Sequence, residues 1–408
     1  MDAHEARAHP DKLRKALARK GADQLFDEFL AADEEWREAS RRVDALRSVT
    51  RPKGRPDEAE RVLLAKAKDD LRQAEAFLLE IADRRDGLLA RIPNPPDPSA
   101  PDGTTDKDAV EVRRYGEAPS FDFPVREHLE LGAFAMEKAA ELSGSRFSYR
   151  IGDAALVELA LYRFAIDRVV DRGFVPVLPP VLVREEAMFA TGFLPTEESN
   201  LYRVEPDGLY LTGTSEVALA GLHADEILDE QSLPLRYAGY STCFRRESGA
   251  AGRDTRGIFR VHQFDKVEMY VFCAPEASSD EHESLLAIEE EIVRALGIAY
   301  RVVNIAAGDL GPSASKKYDI EAWMPYQGRY REITSCSNTT DYQARRLNTR
   351  IRKDDERRIV HTLNGTAMTA RCLIAVMETF QERDGSVAVP PALIPFGAPE
   401  RIEATPSL

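Results

Sequence analysis

The residues best suited to chemistry lie in one charged stretch, CFRRESGAAGRDTRGIFRVHQFDKVEMY, at positions 243–270. Strand-like alternation at its two ends predicts one face that carries cations, carboxylates and a ring: Arg245, Glu247, Phe264, Lys266 and Glu268. Arginine binds phosphate bidentately, an aromatic ring stacks on a purine, and a glycine-rich loop could close over a ligand. The stretch therefore predicts a nucleotide site. The alternative is a salt-bridged hairpin with a solvated tip.

A second polar strand, YREITSCSN, follows at positions 330–338. Alternation places Glu332 and Thr334 on one face, and Ser335 comes next. A carboxylate and a hydroxyl near a triphosphate are the oxygen ligands that Mg²⁺ prefers. The strand therefore predicts a magnesium site, with a polar strand end as the alternative.

Two further segments could complete such a site. NGTAMTAR (364–371) leads into an apolar helix whose first turn would aim Arg371 at a phosphate, although a surface arginine is the alternative. GTSEV (213–217) places Thr214 and Glu216 where they could bind a small ligand with a positive amine, although a helix N-cap is equally ordinary there. His262 has no Ser or Cys nucleophile pattern nearby, so we expect it to anchor a loop.

The composition narrows the class of protein. The chain has 408 residues and a formal net charge of -15, which argues against non-specific binding of DNA but allows a local basic surface. Its four cysteines are far apart, form no CxxC pair and are expected to be buried thiols. There is no apolar run of membrane-spanning length and no signal-peptide pattern, so we expect a cytoplasmic protein without a membrane partner.

The N-terminal part has a heptad pattern. Apolar residues recur at alternating spacings of 3 and 4 in two runs: Leu25, Phe29, Ala32, Trp36, Ala39, Val43 and Leu46, then Leu64, Ala67, Leu71, Ala74, Leu78 and Ile81. A Pro-containing turn separates the runs, which predicts an antiparallel coiled-coil hairpin over about 24–92, roughly 38 Å long in its first helix at 1.5 Å per residue. The Pro-rich segment 92–108 should be a linker. We therefore expect an N-terminal domain at 1–105 and a second domain at 106–408.

The second domain has the sequence pattern of an α+β fold. Strand-like and helical runs alternate irregularly, which predicts a mostly antiparallel sheet flanked by helices. Pro179 and Pro180 interrupt one strand-like run, so that run should lie at a sheet edge or an interface. Neither GxGxxG nor GxxxxGK[ST] is present, which excludes Rossmann and P-loop nucleotide sites.

Taken together, these motifs resemble those of the bacterial-type seryl-tRNA synthetases, a family of class II aminoacyl-tRNA synthetases. RGFVPVLPPVLV resembles motif 1, CFRRESGAAGRDTRGIFRVHQFDKVEM motif 2 and NGTAMTARCLIAVMETFQ motif 3; TSEV and EITSCSN match the serine loop and the metal segment. The resemblance covers nearly the full chain. It implies ATP and Mg²⁺ as cofactors, L-serine and tRNA(Ser) as substrates, and a homodimer.

The resemblance also implies roles for individual residues. Arg245, Glu268 and Arg371 would be catalytic, and Glu332 and Ser335 would hold the metal. The implied ATP-binding residues are Arg245, Arg246, Glu247, Val261, Phe264, Glu332, Ile333, Thr334, Ser335 and Arg371. The implied serine-binding residues are Thr214, Ser215, Glu216, Arg245, Glu268 and Thr366. The implied tRNA-binding residues, at the tip of the hairpin, are Arg47, Arg51, Lys53 and Arg55.

Three functions stay open at this point. The first is ligation of serine to its tRNA. The second is a paralogue that activates serine or another small amino acid for antibiotic biosynthesis or resistance, and the third is a catalytically silent RNA-binding paralogue. The run between Thr366 and Arg371 is one residue shorter than the family's usual spacing, so the register of Arg371 is also open.

Overall fold

The structure, a computed structural model, describes residues 2–51, 57–248, 254, 256–354 and 356–404. The chain divides into two compact units, one up to Pro96 and one from Asp97 onward. The division falls inside the Pro-rich segment. The assignment of the two units to tRNA binding and catalysis stays a prediction.

The first unit is helical. Its helices are α1 (Ala3–Ala8), α2 (Pro10–Ala18), α3 (Asp23–Val49) and α4 (Glu58–Arg91). Proline stands at the start of α2, where its missing N–H costs nothing, and Asp57 forms a capping box with Glu60 at the start of α4. A small core of α1, α2 and the base of the hairpin includes Leu17, Phe26 and Phe29.

Helices α3 and α4 form the predicted hairpin. Every apolar heptad position named above is buried or half-buried. Arg47 bonds Glu75 at 2.9 Å while Glu35, earlier in α3, bonds Arg84, later in α4, so the helices run antiparallel. The coiled-coil hairpin is confirmed, and its tip at residues 52–56 lies outside the described residues.

The strands of the second unit are, in chain order, β1 (Val110–Tyr115), β2 (Ala133–Phe134), β3 (Arg150–Ile151), β4 (Val175–Val177), β5 (Leu182–Arg184), β6 (Tyr202–Val204), β7 (Leu209–Leu211), β8 (Ile227–Asp229), β9 (Leu235–Phe244), β10 (Gln263–Cys273), β11 (Tyr300–Asn304), β12 (Lys316–Met324), β13 (Arg329–Thr340), β14 (Arg350–Lys353), β15 (Glu356–Ile359), β16 (His361–Thr369), β17 (Val387–Ala388) and β18 (Arg401–Ile402). Its α-helices are α5 (Met136–Ser143), α6 (Asp153–Asp171), α7 (Glu185–Thr191), α8 (Glu216–Ala220), α9 (Ser278–Ala295), α10 (Tyr342–Arg346) and α11 (Ala370–Thr379).

In the described part of the chain, eight strands form the main sheet in the order β1-β11-β12-β13-β16-β10-β9-β4. All neighbours pair antiparallel except β4 and β9, which are parallel. This confirms the α+β fold with a mostly antiparallel sheet. Strand β4, which precedes the two prolines, lies at the sheet edge as predicted.

Alternation along β10 divides the interior into two cores. Met269 and Val271 pack into the main core, which includes α6, α9 and α11. Tyr270 and Phe272 point to the other side and join a smaller core with residues of α8, α10 and β14. The even-numbered face of β10 also carries Phe264, Lys266 and Glu268, so the polar site continues directly from this smaller core.

The structure corrects one detail of the predicted motif 2 hairpin. Strand β9 ends at Phe244, so Arg245 and Glu247 do not lie on a strand face. The Arg246 N–H bonds Asn200 O at 2.9 Å instead of a neighbouring strand, and Glu247 has a left-handed φ of 51°. The Arg245 N–H still bonds His262 O at 2.9 Å, so the chain leaves the ladder between Arg245 and Glu247.

Candidate active site

A pocket of about 660 Å³, including its open mouth, lies on the main sheet beside β10, β13, β16 and the start of α11. It gathers residues from segments far apart in sequence. The predicted site residues that line it are Arg245, Glu247, Val261, Phe264, Glu332, Ile333, Thr334, Ser335, Thr366 and Arg371.

Arg371 reaches this pocket from the second residue of α11. Its Nη1 donates to Glu332 Oε2 and to the Glu332 carbonyl, each at 3.0 Å, and its Nε donates to Phe259 O at 3.3 Å. Thr369 caps the helix by accepting the Arg371 N–H. The shorter run after Thr366 therefore does not prevent Arg371 from facing Glu332.

Arg245 lines another part of the pocket. Its Nε donates to Gly213 O at 3.1 Å, and its guanidinium carbon lies 5.3 Å from the centre of the Phe264 ring. His262 Nδ1 lies 2.9 Å from the Arg245 carbonyl oxygen. The ring and the guanidinium thus line one side, and His262 contacts the backbone that carries Arg245.

Two further arginines contribute to the site, and the sequence reasoning gave neither of them a role. Arg260 lines the pocket and bonds Glu247 at 2.5 Å. Arg331 bonds Asp254 at 2.8 Å and stacks on Phe259, with its guanidinium carbon 3.7 Å from the ring centre. Arg260 lies inside the charged stretch at 243–270, so its residue type and position already made it a candidate for the site. Strict alternation along β13 would put the side chains of Arg331 and Glu332 on opposite faces of the sheet.

An irregularity in β13 explains why alternation fails there. The pairing of β12 with β13 shifts register between Ile320 and Glu321, so Glu332 and Thr334 face neighbouring residues with Ile333 unmatched. Such a bulge re-aims side chains. As a result four consecutive residues line the pocket, from Glu332 to Ser335.

A buried polar cluster adjoins the pocket at Lys266. Thr214 Oγ1 donates to Glu268 Oε2 at 3.0 Å, Lys266 Nζ donates to Thr214 Oγ1 at 3.2 Å, and Lys266 forms an ion pair with Glu268. Among the described residues, Glu268 Oε1 is buried without a hydrogen-bond partner. Burial raises the pKa of Glu268, against the lowering effect of Lys266. Thr366 pairs with Glu268 across β10 and β16.

Glu216 extends the same cluster. Its Oε1 accepts hydrogen bonds from Gln343 Nε2 at 2.7 Å and Asn364 Nδ2 at 2.9 Å. Burial, followed by the nearby charge of Glu268, raises the pKa of Glu216 to about 7. The two carboxyl groups and one ammonium group thus share a site with few water neighbours, where an added cation would be strongly favoured.

Two predicted residues point elsewhere. Ser215 Oγ bonds Ser241 Oγ of β9 at 2.7 Å and is buried. Arg246 stacks on Tyr202, with its guanidinium carbon 5.7 Å from the ring centre. Neither side chain lines the pocket. Their predicted binding roles gain no support from this geometry.

The predicted metal residues have suitable chemistry. Burial would raise the pKa of Glu332, but the charges of Arg371 and Lys317 outweigh it and lower the pKa to about 2. Ser335 pairs across the ladder with Asp319, whose pKa burial raises to about 7 against the effect of Lys317. In the described part of the chain, no three His, Cys, Asp or Glu side chains form a metal cage. This donor set fits Mg²⁺, which binds through one or two carboxylates together with substrate phosphates.

The predicted tRNA-binding residues can be placed only in part. Arg47 lies near the end of α3 and pairs with Glu75 of α4. Arg51 is exposed just after that helix. Lys53 and Arg55 lie outside the described residues.

Comparison with known proteins decides the family. Residues 202–380 match the model of the tRNA synthetase class II core domain (G, H, P, S and T). The chain is 48% identical to the serine–tRNA ligase of Thermobifida fusca (strain YX), over 97% of each chain. The chain belongs to the serine–tRNA ligase family. It is an enzyme, an aminoacyl-tRNA synthetase, as predicted from its motifs.

Solved structures of this family agree with the fold. The seryl-tRNA synthetase from Pyrococcus horikoshii complexed with ATP is 39% identical, covers 100% of both chains and has a TM-score of 0.93. The cytoplasmic serine–tRNA ligase from Naegleria fowleri in complex with AMP is 33% identical over 97% of this chain and 96% of that one, with a TM-score of 0.86. The predicted class II fold is therefore confirmed. The predicted roles of single residues remain predictions.

Proposed function

We propose that this chain uses ATP and Mg²⁺ to activate L-serine as seryl-adenylate and transfers it to the 3′ end of tRNA(Ser). One observation carries the proposal. An arginine-rich pocket adjoins a buried carboxylate, Glu268, whose Oε1 has no hydrogen-bond partner among the described residues. The first part suits a triphosphate, and the second suits the ammonium group of an amino acid.

The pocket supplies the groups that ATP requires. Phe264 would stack on adenine, with Glu247 and the Val261 backbone beside it. Arg245 would bind the α-phosphate and Arg371 the γ-phosphate, and the structure adds Arg260 and Arg331 as further cations. Arg260, Arg331 and Arg371 are each paired with a carboxylate here, so a triphosphate would replace Glu247, Asp254 and Glu332 as their partner.

Glu332 and Ser335 would hold Mg²⁺. When bound, the metal offsets negative charge on the phosphate oxygens. The low pKa of Glu332 keeps this ligand ionised throughout the physiological range. Before ATP binds, the Arg371 contact holds the carboxylate at the pocket wall.

Serine recognition follows from the polar cluster. Glu268 Oε1 would accept a hydrogen bond from the serine ammonium, and Thr214, Glu216 and Thr366 would complete the pocket. Alanine would leave buried polar groups without a partner, which costs far more than a missing methylene. Threonine adds one methyl group, which a tight pocket excludes sterically.

The reaction needs positioning and charge stabilisation more than acid–base catalysis. A serine carboxylate oxygen attacks the α-phosphorus in line, the new P–O bond forms, and pyrophosphate leaves. Arg245 and Arg371 offset the charge that develops on the phosphate oxygens. A ribose hydroxyl at the tRNA end then attacks the adenylate carbonyl, and AMP leaves.

We further propose a homodimer in which the edge of the main sheet carries the interface. Helix α6 exposes Leu159 on this side, strand β4 exposes Val175, and Leu178, just after β4, is 83% exposed. An exposed apolar patch of this kind is typical of an interaction site. An edge strand also suits an interface, because the backbone N–H and C=O groups along its outer side are not paired within the sheet.

We also propose that the hairpin of α3 and α4 binds tRNA(Ser) through its basic tip, by phosphate contacts and shape. A cytoplasmic location fits this substrate. In the described residues, no helix is long and apolar enough to cross a membrane.

ATP–pyrophosphate exchange with a panel of amino acids tests the central proposal. We expect exchange with serine, much less with alanine and threonine, and transfer of serine to tRNA(Ser). No exchange with serine would refute the proposal. Exchange without transfer would instead favour the biosynthetic paralogue.

A further inference from the structure

A buried pair outside the pocket, His128 and Glu378, joins three of the pocket's walls. The two residues are 2% and 0% exposed. His128 Nδ1 lies 3.3 Å from Glu378 Oε1. His128 Nε2 receives the Ile258 backbone N–H at 3.2 Å, and Glu378 Oε2 receives the Tyr326 backbone N–H at 3.1 Å.

Each end of this network leads to a part of the ATP pocket. Ile258 lines the pocket and precedes Phe259, whose ring contacts the guanidinium groups of Arg331 and Arg371 at 3.7 and 4.5 Å. Tyr326 lies in the turn before β13, which carries Glu332. Glu378 belongs to α11, the helix that begins beside Arg371. The pair thus fixes these three segments relative to one another.

The hydrogen bonds also determine the tautomer of His128. A backbone N–H can only donate, so Nε2 must be the unprotonated acceptor and Nδ1 must carry the proton. Glu378 Oε1 accepts a hydrogen bond from the Nδ1–H group and therefore holds the ring in the tautomer that binds the Ile258 N–H. Gln381 fixes the segment before His128, because its side-chain amide accepts from Arg126 N at 2.8 Å and donates to Arg126 O at 3.2 Å.

Gly257 shows how closely the ring abuts the loop. Its φ is +75°, and a Cβ at this position would lie 2.5 Å from His128 Nε2. Real side chains do not approach so closely, so the imidazole sits directly against the loop backbone. A change on either side of this contact must displace the other.

We propose that His128, oriented by Glu378, is a positioning residue that sets the affinity of the pocket for ATP. It holds Ile258 and thereby Phe259, whose carbonyl accepts from Arg371 and whose ring contacts the guanidinium groups of Arg331 and Arg371. The serine-side groups Thr214 and Glu268 do not depend on this contact. The inference rests on the proposed function only in taking ATP as the ligand.

The test is His128→Phe, which keeps a ring but removes the partner of the Ile258 N–H and of Glu378 Oε1. We expect the KM for ATP in serine-dependent exchange to rise roughly tenfold, as the loss of a buried hydrogen bond predicts, with the KM for serine nearly unchanged. His128→Gln retains one acceptor and one donor and should recover most of the affinity. His223→Phe is the control, because it also removes two hydrogen bonds, to Glu226 and Tyr237, outside the pocket.

Gly257→Ala probes the same contact from the loop side, in case His128→Phe does not fold. It should raise the KM for ATP in the same way, because its Cβ would press on the imidazole and its φ of +75° would strain the loop. A KM for ATP that changes no more in these variants than in His223→Phe would overturn the proposal. Serine-dependent exchange by the wild-type enzyme tests the proposed function. The positioning role is tested separately, by the ratio of each variant's KM for ATP to the wild-type KM.

Discussion

The hairpin arm and the pocket use the same kind of charge pair in opposite surroundings. In the arm, Arg84 and Glu35 pair across two helices with side chains 54% and 49% exposed. In the site, Lys266 and Glu268 pair with side chains 10% and 1% exposed. Water screens the first pair, which contributes little to stability, whereas loss of one partner from the second leaves a buried charge alone. The difference shows that burial, more than charge count, marks the functional region.

Deletion of 32–82 would separate the two regions most completely. We expect charging of tRNA(Ser) to be lost and serine-dependent exchange to be retained, because the deleted helices contribute no residue to the pocket. Both reactions are measured on one preparation, with a short Gly-Ser turn joining the remaining helix ends. Charging at the wild-type rate would show that the arm has no role in RNA binding.

Glu268→Gln should have the next largest effect. The substitution leaves Lys266 buried without its ion-pair partner and removes the negative charge that faces the serine ammonium, for a loss of about 3–5 kcal/mol, or roughly 10²–10⁴-fold in kcat/KM for serine. The KM for ATP should change much less. Exchange kinetics provide both values.

Glu281→Gln is the matched control for that change. Glu281 accepts a hydrogen bond from Arg236 Nη2 at 2.6 Å in a part-buried pair outside the pocket. Its loss should leave serine-dependent exchange nearly unchanged. An equal loss in both variants would mean that Glu268 acts through stability alone.

Glu216 should make the stability of the buried cluster depend on pH. Its pKa is about 7 in the folded chain against an ordinary 4.5, so between these values the folded state holds a proton that the unfolded state has released. The contribution to stability is therefore fully present below pH 4.5 and is lost as the pH rises through 7, by up to about 3 kcal/mol. Glu216→Gln keeps the acceptor for Gln343 and Asn364 but does not titrate.

We therefore expect Glu216→Gln to gain stability relative to the wild type as the pH rises from 5 to 8. Thermal unfolding midpoints of both proteins, measured across this range, would test the expectation. A constant difference between the two midpoints would mean that Glu216 titrates alike in the folded and unfolded states.

Arg84→Gln in the arm should have the smallest effect. Exposed ion pairs contribute about 0.2–1 kcal/mol, so the free energy of unfolding should change by less than about 1 kcal/mol. Denaturant titration at low and high salt would measure it. A loss as large as that in a buried pair would remove the contrast between the two regions.

The sequence by itself determined the regular parts of this protein. The heptad spacing indicated α3 and α4 because a helix repeats its surface every few residues, so local spacing alone chooses the buried face. The alternation of Phe264, Lys266 and Glu268 indicated one strand face for the same reason. The motifs in their order indicated the family and its class II fold, which the comparisons confirmed.

Only the tertiary structure decided the details on which the site depends. The early end of β9 and the bulge in β13 arise from pairing with distant segments, and they placed Arg245 and brought the whole run from Glu332 to Ser335 to the pocket. The contact of His128 with Ile258 joins residues 130 positions apart. Local spacing carries no information on such partners, because hydrogen bonds and burial depend on what the folded chain brings into contact.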